Sequence, residues 1–261
     1  MEKKERKYAL HNGGGERQML VDMHSQLVKV SGNGKENDEE VLEILKSAAE
    51  DGITHMIATP LYNRDFYANQ AATIEKSIKQ LNVKLQDLDI PVTVFEGMEI
   101  ILYEKIVKDL ALDLLPLAGS HKYVFVSFQD ISVPAFALNT FFEMQMRGYV
   151  PIIANVDRNK ALIHNKALLR EFVEKGALVH VSAASILGGN GGKIRRRILK
   201  LSREGLIHII SSASSNGESG PSLLKPAYKY LEKKLSIEAV AYFTNNAKSV
   251  VDGSDFHIKT F

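Results

Sequence analysis

Asp22, His24 and Ser25 close the apolar run "VDMHS", and a carboxylate and an imidazole two residues apart at a strand end are types that hold a divalent metal or move a proton. Position 26, where a second imidazole would share an ion with His24, carries Gln26 instead. Further on, Glu99 in "GMEI" supplies a carboxylate, and Arg158 in "NVDRNK" supplies a guanidinium suited to phosphate or carboxylate. Metal-assisted hydrolysis requires several imidazoles and carboxylates converging from different strand ends. The chain has eight histidines, of which only His24 falls at such an end; His180 reads as lying within a strand and His55 and His208 at or near strand entrances.

The elements that must position these residues are legible as alternation. Seven β-branched runs, "MLVDM", "ITHMIATP", "PVTVFEG", "KYVFVSF", "VPIIAN", "ALVHVSA" and "LIHIISS", recur at roughly 30-residue spacing, the length of a strand plus a crossover helix. Between them, Asn37 with Glu40 resembles a capping box, Val41, Ile44, Leu45 and Ala48 share a helical face, and Gly52 supplies a left-handed stop. Gly148, Gly176 and Gly205 are placed to end three later helices in the same way. The pattern predicts an α/β fold of parallel βα units, a distorted seven-stranded (β/α) barrel rather than an open doubly wound sheet, with the site at the carboxyl ends of the strands. No composition break marks a linker, so residues 19–261 read as a single domain and residues 1–18 as a mobile extension.

Composition narrows the function classes. A length of 261 residues, a 45% hydrophobic share and a formal charge of +2 give no electrostatic reason to expect nucleic acid. The absence of cysteine excludes disulfides, thiolate catalysis and cysteine-based zinc sites. No apolar run reaches the ~18 residues of a membrane span, and the head of the chain lacks a signal-peptide stretch, so a cytoplasmic protein is expected. In "GGKIRRRILKLSREG", Ile194, Ile198 and Leu201 are expected to face inward while Lys193, Arg196, Arg197 and Lys200 form a solvated face.

At its strand ends the chain resembles the PHP superfamily (polymerase and histidinol phosphatase), and within it the manganese-dependent bacterial tyrosine phosphatases of capsule and exopolysaccharide operons. The likeness is carried by "DMHS", "DEEVLEILKSAAEDGITHMIATP", "YNRDFYANQ", "GMEI", "FFEMQMRGYVPIIANVDRNK" and "VEKGALVHVSAASILG", from about Met19 to Gly253. The resemblance implies a distorted TIM-like barrel, a cluster of manganese or other divalent ions, and hydrolysis of phosphotyrosine on a cognate kinase.

It also implies where the ligands should stand. The family's paired histidines fall on His24 and Gln26, its loop aspartate on Asn33, and the histidine of its Thr-Pro-His segment on Leu61. Glu99 keeps the bridging carboxylate, whereas Ser127 replaces a glutamate and Asn155 the histidine ahead of the retained Arg158. The terminal Asp-x-His pair falls on Ala213 and Ser215, and a phosphate-holding arginine on Gly220. Only His24 and Glu99 survive as vestigial metal ligands. Leucine and alanine cannot coordinate, and Gln and Asn carbonyls are weak donors for a transition metal.

The expectation is therefore a pseudophosphatase with no cofactor, whose remaining phosphate contact is Arg158 and whose partner is a bacterial tyrosine-kinase tail or an active relative. A weakly active enzyme using one ion at His24 and Glu99 is the alternative. For His24 itself, a buried histidine satisfied by Asp22 or by a neighbouring strand end stands beside the ligand reading, and for Arg158 a salt bridge to Asp157 or Asp130 stands beside phosphate recognition. Tyr62, Phe66 and Tyr67 read either as an aromatic wall at the mouth or as packing beneath a loop.

Overall fold

The computed structural model describes residues 19–28, 38–63, 71–129, 132–212, 222–256 and 258–261. The extension 1–18 lies outside them, as do Asn33, Asn37, Phe66, Tyr67, Asp130, Ala213, Ser215 and Gly220.

The chain begins with strand β1 (Val21–Ser25), helix α1 (Asp38–Glu50), strands β2 (His55–Ala58) and β3 (Leu61–Tyr62), and helix α2 (Ala71–Asp87). Strands β4 (Thr93–Phe95) and β5 (Glu99–Ile101) follow, then α3 (Ile106–Asp109) and β6 (Tyr123–Ser127). Next come α4 (Ala137–Met146), β7 (Val150–Ile153), α5 (Lys160–His164) and α6 (Lys166–Glu174). The last third holds β8 (Leu178–Ser182), α7 (Ala183–Leu187), α8 (Gly192–Arg203), β9 (Ile209–Ser211), α9 (Leu224–Lys234) and α10 (Ile237–Asp252).

All ladders among these strands are parallel, in the orders β1-β2-β4 and β3-β5-β6-β7-β8-β9. The parallel α/β architecture follows the alternation of the sequence, but the expected seven strands become nine among the described residues. Two of the seven runs each continue past their own ends into a further short strand, so that β2 pairs with β4 in one sheet and the continuations β3 and β5 pair in the other. The physical cause sits between each strand and its continuation. Pro60 has no amide hydrogen to extend a ladder, and Gly97 lies where the chain crosses between the sheets. The same two runs thus belong to both sheets, which makes a continuous curled surface. At its far margin the Ser212 amide donates to Asp22 Oδ1 at 3.0 Å, drawing the end of β9 toward β1.

Gly97 is held to glycine by packing. A Cβ there would stand 2.8 Å from Leu117 Cδ2 and 3.1 Å from Ile57 Cγ2, both from fully buried side chains with no room to retreat. Gly97→Ala is expected to cost about 1–3 kcal/mol, the usual penalty of overpacking, measured as a shift in urea midpoint; an unchanged midpoint would mean that this crossing is loose.

Helix ends follow the sequence signals. Gly52, Gly148, Gly176 and Gly205 all have positive φ, between 69° and 86°, a conformation that disfavours any side chain. In α1, Leu45 and Ala48 are buried and Val41 and Ile44 partly so. Helix α8 departs from expectation in one residue. Arg197 is half-buried rather than solvated, because it donates to the carbonyls of Ile163 and His164 at 2.7 and 2.8 Å and so caps the end of α5. Tyr62 is buried in the core and forms no wall at the mouth. No helix among the described residues is long and apolar enough to cross a membrane.

Candidate functional site

The carboxyl ends of β1, β7 and β9, the first residue of β5 and the middle of β8 converge on one polar cluster. His24, near the end of β1, is buried with both ring nitrogens engaged. Its Nδ1 lies 2.6 Å from Thr59 Oγ1, and its Nε2 lies 3.4 Å from Glu99 Oε2 and 3.4 Å from Asn155 Nδ2. The partner that satisfies the ring is thus a neighbouring strand end and not Asp22, whose Oδ1 is taken by the Ser212 amide. Burial holds His24 well below the usual imidazole range, and the positive charge of Arg158 adds to the effect. Glu99 is pushed up by burial, opposed in part by Ser127, Arg158 and Asn155 beside it.

A second imidazole completes the cluster. His180, expected to be an ordinary strand residue, turns its ring into the interior of the sheet, 5.7 Å from the His24 ring and 5.1 Å from Phe125. Its Nδ1 accepts the Asn155 amide at 3.1 Å. The proton of the neutral ring therefore sits on Nε2, which donates to Ser211 Oγ at 2.7 Å. Burial lowers the pKa of His180 to about 3. An imidazole that is neutral, with its acceptor nitrogen occupied and its proton directed at the serine, cannot activate Ser211 as a nucleophile. The sequence offered one signal for this placement: His180 is two residues before Ser182, and alternate residues of a strand share a face.

Asn155 makes the arrangement possible by its backbone. It follows β7 with φ of 50°, a left-handed conformation that asparagine tolerates better than other side chains, and this points its amide at His180. Immediately after it, Asp157 is 3% exposed and saturated. It accepts from the Ser182 amide at 3.1 Å and from the Ser182 and Ser185 hydroxyls at 2.6 Å each. Asp157 consequently forms no salt bridge with Arg158, whose side chain is exposed at the rim.

Among the described residues the donor set does not fit a cluster of metal ions. Leu61, 42% exposed at the start of β3, is inert toward a cation, and Ser127 and Asn155 are neutral. His24 is already engaged on both sides by protein groups. No group of three or more His, Asp or Glu side chains among the described residues is arranged to hold an ion. Chemically, the described part of the site is a hydrogen-bonded cup of neutral imidazoles, amides and hydroxyls, with the Glu99 carboxyl group buried in it and the Arg158 guanidinium exposed at its rim.

Residues 20–252 match the family described as capsular polysaccharide synthesis, CpsB/CapC. Tyrosine-protein phosphatase YwqE of Bacillus subtilis is 31% identical over 229 residues, covering 88% of this chain and 90% of that protein. Tyrosine-protein phosphatase CpsB of Streptococcus pneumoniae is 21% identical over 238 residues, covering 89% of this chain and 98% of that protein. A solved structure described as YwqE and CpsB, unique metal-dependent tyrosine phosphatases, superimposes with a TM-score of 0.85 at 31% identity, over 92% of this chain and 97% of that one.

Proposed function

We propose that this chain, which belongs to the CpsB/CapC capsular polysaccharide synthesis family, has kept the tyrosine-phosphatase fold of its relatives while exchanging their chemistry for recognition. The observation that carries this reading is the hydrogen-bonded cup itself. Where a metal-dependent phosphatase needs ligands that polarise water, His24, Asn155, His180 and Ser211 are bonded to one another and to Thr59. Without a cation to lower the pKa of a bound water, no hydroxide forms at neutral pH, and phosphoester hydrolysis loses its nucleophile.

What persists is a cation at the rim. Arg158 stands at the end of β7, exposed, with its charge acting on His24, His180 and Glu99. A guanidinium held there still forms parallel hydrogen bonds to a phosphoryl group. The partner this supports is the phosphotyrosine tail of a tyrosine kinase in polysaccharide biosynthesis, bound without being hydrolysed. In titrations of tyrosine-phosphorylated tail peptides, Arg158→Ala is expected to weaken binding by about tenfold or more, a loss of about 1.5–3 kcal/mol. Equal affinities for wild type and variant, or for phosphorylated and unphosphorylated peptide, would mean that the cup no longer reads phosphate.

A further inference from the structure

Helix α4, which connects β6 to β7, presents an apolar face that no other described residue covers. Phe142 is 63% exposed and Met146 72% exposed, one helical turn apart on the same side. Exposed large apolar side chains are ordinary singly, but two of them adjacent on one helix face form an apolar patch. Beside them on α4 stand Glu143 and Arg147, both exposed, and neither forms an ion pair within the described residues.

The charge order identifies the occupant. Glu143 and Arg147 are four residues apart on one edge of the helix, acid toward its start and base toward its end. A second α4 laid antiparallel across a two-fold axis would set Phe142 against the other copy's Met146, and Glu143 against the other copy's Arg147, twice over. A face that complements itself in both apolar contact and charge is the requirement for an isologous pair. We infer that a second copy of this chain docks on the exposed face of α4, through Phe142 and Met146 in the seam and reciprocal Glu143–Arg147 pairs at its edge.

The position of the helix gives the pairing a consequence. The end of α4 leads through Gly148 into the start of β7, so Met146 lies toward the amino ends of the strands, away from the cup at their carboxyl ends. The dimer leaves both cups open and presents two of them to one partner assembly, which raises avidity without any new contact at either cup. The inference rests on α4 alone and stands whether or not the cup binds phosphate.

Charge reversal supplies the test. Because each substitution is felt twice across the axis, Glu143→Arg alone and Arg147→Glu alone are each expected to weaken self-association at least about tenfold in sedimentation velocity. An equimolar mixture of the two variants restores opposite charges at both edges and is expected to recover wild-type association as a mixed dimer. Both changes sit on an exposed face, so circular dichroism melts should match the wild type, which separates loss of pairing from loss of fold. A wild type that stays monomeric up to the highest concentration that sedimentation can follow, single variants that associate as the wild type does, or a mixture that fails to pair would each overturn the inference.

Discussion

Asp157→Ala is expected to destabilise the fold by about 3–5 kcal/mol, although Asp157 touches nothing that would bind a ligand. Its carboxylate ties the end of β7 to β8 and α7 through the Ser182 amide and the hydroxyls of Ser182 and Ser185, with Asn190 Nδ2 at 3.5 Å. Alanine would leave a buried amide without an acceptor and two buried hydroxyls to find new partners, and an orphaned buried donor costs about 1–3 kcal/mol by itself. Asp157→Asn keeps the shape and one acceptor, so its loss should be smaller. Urea unfolding of the two variants distinguishes the cases; a loss under about 1 kcal/mol for alanine would show that water replaces the carboxylate at little cost.

The fold should weaken as pH falls from about 6.5 to 4, and the sign follows from which groups are buried. His24, His55, His180 and His208 all have folded pKa values below 6.5, the last two at about 3 and about 4, because burial penalises the charged ring. The unfolded chain therefore binds protons at these four groups first, and their contribution to stability is lost as pH drops below 6.5. Two acids act in the opposite direction. Burial raises Asp22 to about 6 and lifts Glu99 above its usual value of 4.5, so the folded state takes up protons at these groups before the unfolded state does, and the loss is partly offset below pH 6. Four imidazoles against two carboxyls leave a net decline in stability toward acid through the middle of the window. Urea midpoints collected from pH 7 to 4 test this, and a profile that is flat or rising toward acid would contradict the burial of neutral imidazoles. His180→Gln removes one of the four and should make the slope in that window shallower.

Much of this architecture could be read from the sequence because its signals are local. Runs of β-branched residues and glycines at helix ends act within a few residues, and the strands and stops fell where those residues stand. The continuation of two runs into β3 and β5 was not legible, because an apolar stretch does not say where the chain beyond it changes partners; Gly97 signals a close approach only once Leu117 and Ile57 are known to meet it. At the site, residue chemistry alone established that Leu61 cannot be a ligand wherever it lies. The role of His180 was hidden, since alternation in "ALVHVSA" puts it on the face of Ser182 but does not say that its ring meets His24 there. Asp157 looked like a partner for Arg158 because they are adjacent, yet the serines that saturate it lie 25 and 28 residues away.

Replacement of a metal-dependent centre by a hydrogen-bonded cup is decided by turnover of a tyrosine-phosphorylated peptide by the purified protein with manganese added, beside a His24→Ala, Glu99→Gln double variant. Phosphate release by the wild type is expected to equal that of the double variant and to rise above neither the manganese blank nor the reaction in chelator. Manganese-dependent release that is abolished in the double variant would show that His24 and Glu99 still hold a working ion and would contradict that replacement.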